Sequence, residues 1–75
     1  MELSPAAQEF LLEQWDADVS NGYDKDRCDD VNSMSVDQFH NEFMEEGPGR
    51  EFPGDFNASA LYNYFDNQCE MRGLD

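Results

Sequence analysis

Asp16, Asp18, Asp24, Asp26, Asp29 and Asp30 crowd one stretch of the chain. Closely spaced carboxylates are the raw material of a calcium site. An EF-hand loop needs oxygen ligands at positions one, three and five, glycine at six and glutamate at twelve. Counted from Asp16, the first three ligands would be Asp16, Asp18 and Ser20, but position six is Asn21 and position twelve is Arg27. Counted from Asp24, position six is Asp29 and position twelve is Ser35. Neither register obeys the rule. What remains is an acidic, solvated segment with at most weak affinity for divalent cations.

Zinc asks for about four ligands at tight spacing. The chain offers Cys28, Cys69 and His40, with no C-x-x-C pair. His40 stands beside Phe39 and Phe43 and reads as a packed core histidine. No G-x-S-x-G elbow marks a nucleophile. Carboxylate pairs abound, as in any acidic protein, and none is singled out for acid–base work. The expectation is therefore a protein without enzymatic activity, cofactor or metal.

The carboxylates make better sense as rows. On a helix, residues three or four apart lie about 5–6 Å apart, and a DNA duplex carries one charge per about 1.7 Å of axis. Glu9, Glu13 and Asp16 form one row, and Glu42, Glu45 and Glu46, with Asp37 nearby, form a second. A loop holding Asp24, Asp26, Asp29 and Asp30 would bridge them. Ordinary helices intersperse Glu with Lys at this spacing, because like charges there destabilise. This chain accepts that cost.

Composition agrees. Eighteen acidic residues face four basic ones in 75 residues, for a formal net charge of −14. Lys25, Arg27, Arg50 and Arg72 are scattered, which excludes a phosphate-binding patch and docking on an anionic membrane. Direct nucleic-acid binding is therefore not expected. Disorder is excluded by the aromatic content of 13%, spread along the chain. The reading is one small folded domain, residues 1–75, with a thin core that a homodimer would enlarge. Salt adaptation would produce a similar charge profile.

The opening residues lack a basic and apolar leader, and no apolar run is long enough to span a membrane. These features predict a cytoplasmic protein. In that compartment Cys28 and Cys69 are expected as reduced thiols.

Three helices are needed to position the rows. The first opens at Ser4-Pro5 as N-cap and first helical residue and stops by Asn21-Gly22. Ala7, Phe10, Leu11 and Trp15 share its apolar face. Residues 22–34 show no period and read as an acidic connection, with room for a short turn of helix. The second helix opens at a capping box, Ser35 to Gln38, and stops at Gly47-Pro48-Gly49. Val36, Phe39, His40, Phe43 and Met44 share a face. Phe52-Pro53-Gly54 marks a turn, with Phe52 and Phe56 as core anchors, and the 47–57 segment reads as irregular or β. The third helix runs from about Ala58 to Arg72, capped by Asn57 or Asp55, and ends at Gly73. The expected fold class is thus mostly α, a three-helix domain with acidic outer faces.

Leu61, Tyr64, Phe65, Asp66, Arg72 and Leu74 match in register a pattern of the ArdA antirestriction proteins, in which Leu precedes a Tyr-Phe/Ile-Asp triplet and Arg-Asp-Leu follows. The stretch of about fifteen residues resembles that family, although Asn67 and Gly73 depart from its Tyr and Asp. The resemblance implies an acidic mimic of bent DNA, carried by a mobile element, that occupies the DNA groove of a restriction enzyme. By size and charge the chain is also similar to small phage-encoded inhibitors of CRISPR effectors. The expected partner is thus a host nucleic-acid-binding protein. It would be met by Glu9, Glu13, Asp16, Asp24, Asp26, Asp29, Asp30, Glu42, Glu45, Glu46 and Asp66. The alternative is an interaction module that binds through an aromatic patch including Trp15, Tyr62 or Tyr64.

Overall fold

Serine at position 4 leaves the first helix no choice of starting point. Its hydroxyl accepts from the Ala7 amide at 3.1 Å, and Pro5 occupies the first turn, where a missing N–H costs nothing. The resulting α1 spans Pro5–Asn21 in a computed structural model that describes residues 3–52, 54 and 56–73. Gly22 ends it in the left-handed conformation at φ 79°. The amides of Gly22 and Tyr23 return to the carbonyls of Val19 and Asp18, at 3.3 and 2.7 Å, and satisfy two of the orphan acceptors of the last turn.

Residues 24–33, expected to be an irregular connection, form a second helix, α2, Asp24–Ser33. The domain therefore has four α-helices among the described residues, not three, within the mostly α class expected. No side chain caps α2, and only Cys28 and Val31 are buried along it. Asp24 and Asp26 suit the positive end of its dipole, but its main support comes from outside. Tyr62 donates its hydroxyl to the Val31 carbonyl at 2.7 Å, and Arg72 reaches Asp24 at 3.0 Å. A disulfide joins Cys28 to Cys69.

That bond corrects the expectation of two reduced thiols. Both cysteines fall on buried faces of packed helices, with Cα atoms 5.9 Å apart, within the range a disulfide spans. Forty-one residues separate them in sequence, so no local pattern announces the pairing.

α3, Val36–Glu45, follows Ser35, whose hydroxyl accepts from the Gln38 amide at 3.2 Å. Beyond it lies one 3-10 turn, Pro48–Glu51, where an irregular or β segment was expected; no strand occurs among the described residues. Gly49 is buried there because the turn presses on α3. An added Cβ would lie 2.8 Å from both Met44 Sδ and a ring carbon of Phe43. Pro53 of the expected turn and Asp55, the alternative cap, lie outside the described residues, as does Leu74. Asn57 caps α4, Ala58–Arg72, by accepting from the Ala60 amide at 3.1 Å, and Gly73 ends it at φ 73°.

The core is largely aromatic. Phe39, Phe43, Phe56 and Phe65 are buried together with Leu11, Trp15, Val31 and Leu61. Phe65 sits at its centre, with ring centroids 5.6 Å from Phe43, 5.7 Å from Phe39 and 6.3 Å from Trp15. Phe52 and Phe56 stack at 4.7 Å and hold the 3-10 segment against Phe10 of α1. Both act as the anchors their sequence context predicts. α2 and α3 pack more extensively on α4 than on one another.

Candidate partner-binding surface

Three helices display carboxylates because their apolar residues are consumed inside. On α1, burial of Ala7, Leu11 and Trp15 turns Glu9, Glu13 and Asp16 outward, and all three are exposed. On α3, burial of Phe39 and Phe43 does the same for Glu42, Glu45 and Glu46. Asp26 and Asp29 are exposed on α2, while Asp24 and Asp30 are half-buried. Asp66, on α4, is half-buried. The bridging acids thus sit on a helix and not on a loop, with their spacing set by its pitch.

Two of the four basic residues are spent within the fold. Arg27 Nε lies 3.1 Å from Asp18 Oδ2, and its guanidinium carbon sits 5.5 Å from the Phe65 ring centroid and 5.7 Å from that of Phe43. Such stacking suits a planar, weakly hydrated cation. Arg72, in the last turn of α4, pairs with Asp24. Among the described residues, Asp24 is therefore a predicted contact residue that already has an ion-pair partner. Arg50 donates from Nε to the Gly47 carbonyl at 3.3 Å.

The last turn of α3 carries Glu42, Glu45 and, at the cap, Glu46, and holds no basic residue. Negative side chains at the negative end of a helix dipole cost about 0.3–1 kcal/mol each when exposed. The fold therefore concentrates negative potential at this end. Beside it a cleft of about 190 Å³ opens between α2 and α3. Arg27, Asp30 and Met34 line one side, and Phe39, Glu42, Phe43 and Glu46 line the other. The structure thus gathers Asp30 with Glu42 and Glu46, whereas Glu9 and Glu13 belong to a separate row on α1.

No family model, curated protein or solved structure matches this chain. The surface must be read from its own chemistry. Among the described residues no group of three or more His, Cys, Asp or Glu is arranged to hold a metal ion. His40 is half-buried, with Nε2 donating to the Phe56 carbonyl at 3.0 Å, so it ties α3 to the segment before α4. No helix among the described residues is long and apolar enough to cross a membrane.

The aromatic patch fares differently from the acids. Trp15 is 4% exposed and packs edge-on to Phe65, so it is a core residue and not part of a surface patch. Tyr62 is half-buried with its hydroxyl engaged. Tyr64 is half-buried, and burial, reinforced by the nearby Asp16 carboxylate, pushes its phenol above the ordinary value of 10.0. A hydrogen bond with Gln68 opposes that rise. Among the described residues, the large apolar side chains that do face solvent are Leu12, Tyr23 and Met71.

Nothing in the sequence announces the contribution of Arg27 or the cleft itself. The α3 side was readable, since 39, 42, 43 and 46 follow helical spacing. The α2 side, 27, 30 and 34, follows the same spacing, but no capping side chain and no apolar stripe mark that segment as a helix.

Proposed function

We propose that this protein is a non-enzymatic inhibitor that mimics nucleic acid and occupies a cationic DNA- or RNA-binding site of another protein. The observation that carries the reading is charge density. The molecule is 29 Å along its longest axis. A duplex of that length bears about 17 charges, and this chain bears a net −14. Exposed rows on α1, α2 and α3 distribute that charge over one packed domain. Such a surface gains steering and counterion release from a cationic groove as DNA does.

The ArdA-like stretch around Tyr64-Phe65-Asp66 supports a counter-defence context, with a restriction enzyme or CRISPR effector as the target. Action there would be in the cytoplasm of the host cell. Disulfides persist mainly in oxidising compartments, so a cytoplasmic inhibitor must hold this fold with Cys28 and Cys69 reduced.

The test is a tagged pull-down from a bacterial lysate containing restriction and CRISPR systems, with elution by duplex DNA. Release of a nucleic-acid enzyme by DNA, and affinity that falls steeply with salt, support mimicry. Partners that resist both DNA and salt would defeat it. They would favour docking through apolar residues, for which Trp15 is no longer a candidate.

A further inference from the structure

The cleft between α2 and α3 has a composition the overall charge does not require. Phe39 and Phe43 are among its lining residues, although each is only 2% exposed. Asp30, Glu42 and Glu46 surround it. Among the described residues none of these three has an ion-pair partner, and the one cation lining the cleft, Arg27, is committed to Asp18. The C-terminal end of α3 adds its own negative dipole. The cleft therefore presents negative potential beside the edges of Phe39 and Phe43.

Its volume of about 190 Å³ is small. Drug-sized ligands and cofactors occupy about 300–1,000 Å³. A space of this size holds about six waters at liquid density, or the end of one long side chain. Charge, size and wall chemistry converge on one occupant. A guanidinium is planar, weakly hydrated, able to bridge carboxylates and able to lie against aromatic rings. The structure shows the same preference internally, where Arg27 lies by Phe43 and Phe65.

We infer that this cleft is the anchor site for one arginine side chain of the protein partner. The inference rests on the proposal of a cationic partner and makes it specific. The distributed rows supply long-range attraction, and the cleft fixes register by taking a single guanidinium between Asp30, Glu42 and Glu46. A phosphate-like surface alone would have no preferred point of attachment.

The probe is the capped tripeptide Gly-Arg-Gly, titrated into the isotope-labelled, disulfide-intact chain and followed by amide chemical shifts. The control is the same peptide with neutral citrulline in place of arginine. Saturable shifts are expected at Met34, Phe43 and Gly47 with arginine and not with citrulline. The double variant Glu42→Gln/Glu46→Gln should weaken binding about fivefold, the loss expected from two exposed charge contacts. Glu9→Gln/Glu13→Gln removes the same net charge and should change it less than about twofold. Non-saturating shifts spread over α1 and α3, or equal losses in the two double variants, would overturn the anchor. Those outcomes leave the DNA-displacement test untouched. A failed displacement with a saturable cleft would instead remove nucleic-acid mimicry and keep the arginine site.

Discussion

Cys28 on α2 and Cys69 on α4 are joined by a disulfide that closes a loop spanning a sequence separation of 41. It ties the most polar helix of the domain to its central one. Chain-entropy reasoning gives about 4 kcal/mol for a loop of this length, most of it from restriction of the unfolded state. For a domain of this size that is a large share of a total near 5–10 kcal/mol. Thermal melts with and without a thiol reductant should differ by roughly that amount, and Cys28→Ser/Cys69→Ser should match the reduced protein. Equal melting temperatures would show that packing alone holds α2 in place.

Tyr62 performs a second, smaller task for the same helix. The Val31 carbonyl lies in the last turn of α2, where acceptors lack an intrahelical partner, and the Tyr62 hydroxyl satisfies it at 2.7 Å. Tyr62→Phe keeps the ring against Phe39 and leaves the carbonyl short of its donor. The expected loss is about 1 kcal/mol in urea unfolding. Hydrogen exchange should accelerate in α2 more than in α1.

Gly49 is predicted to be intolerant of alanine. Its backbone approaches Phe43 and Met44 so closely that a Cβ would fall 2.8 Å from each side chain and 2.9 Å from the Phe43 carbonyl oxygen. Met44 can yield, but the buried ring and the backbone cannot. Gly49→Ala should cost about 1–3 kcal/mol, the range for overpacking. Gly54→Ala is the control, because its nearest approach is 3.1 Å to the edge of a single ring, that of Phe52.

Alkaline pH should weaken the fold through Tyr64. Burial first, and the Asp16 carboxylate second, raise its phenol above 10.0 in the folded state. The folded form then holds its proton more tightly than the unfolded form. The associated stability is complete below the unfolded value and is lost as pH rises from there through the folded value. Urea midpoints measured across about pH 9–11 should fall less steeply for Tyr64→Phe than for the parent, unless the phenol titrates normally.

Charge reversal at the end of α3 should stabilise the isolated protein. Glu45 is exposed in the last turn, three residues from Glu42. Glu45→Lys meets both the dipole and the neighbouring carboxylate, for a gain of about 0.5 kcal/mol at low salt that shrinks as salt is added. If the acidic surface is the binding surface, the same variant should bind its target less well. A variant gaining in both respects would argue that Glu45 lies outside the interface.

Local chemistry determined α1, α3 and α4. Ser4, Ser35 and Asn57 each accept from an amide three residues on, and Gly22 and Gly73 supply the left-handed ends. These signals work within one helical turn and need no knowledge of the fold. The apolar spacing likewise marked Leu11, Trp15, Phe39 and Phe43 for the core, and by exclusion sent Glu9, Glu13, Glu42 and Glu45 outward. Only the tertiary structure decided that residues 24–33 are a helix, that Cys28 meets Cys69, and that Asp30 joins Glu42 and Glu46 around a cleft. The reason is distance along the chain. α2 lacks a side-chain cap and buries just two residues, Cys28 and Val31. Its stabilising partners Tyr62, Cys69 and Arg72 stand 31, 41 and 48 residues away from the groups they hold. No window of neighbouring residues contains those interactions, so they exist only once α4 has packed against α2.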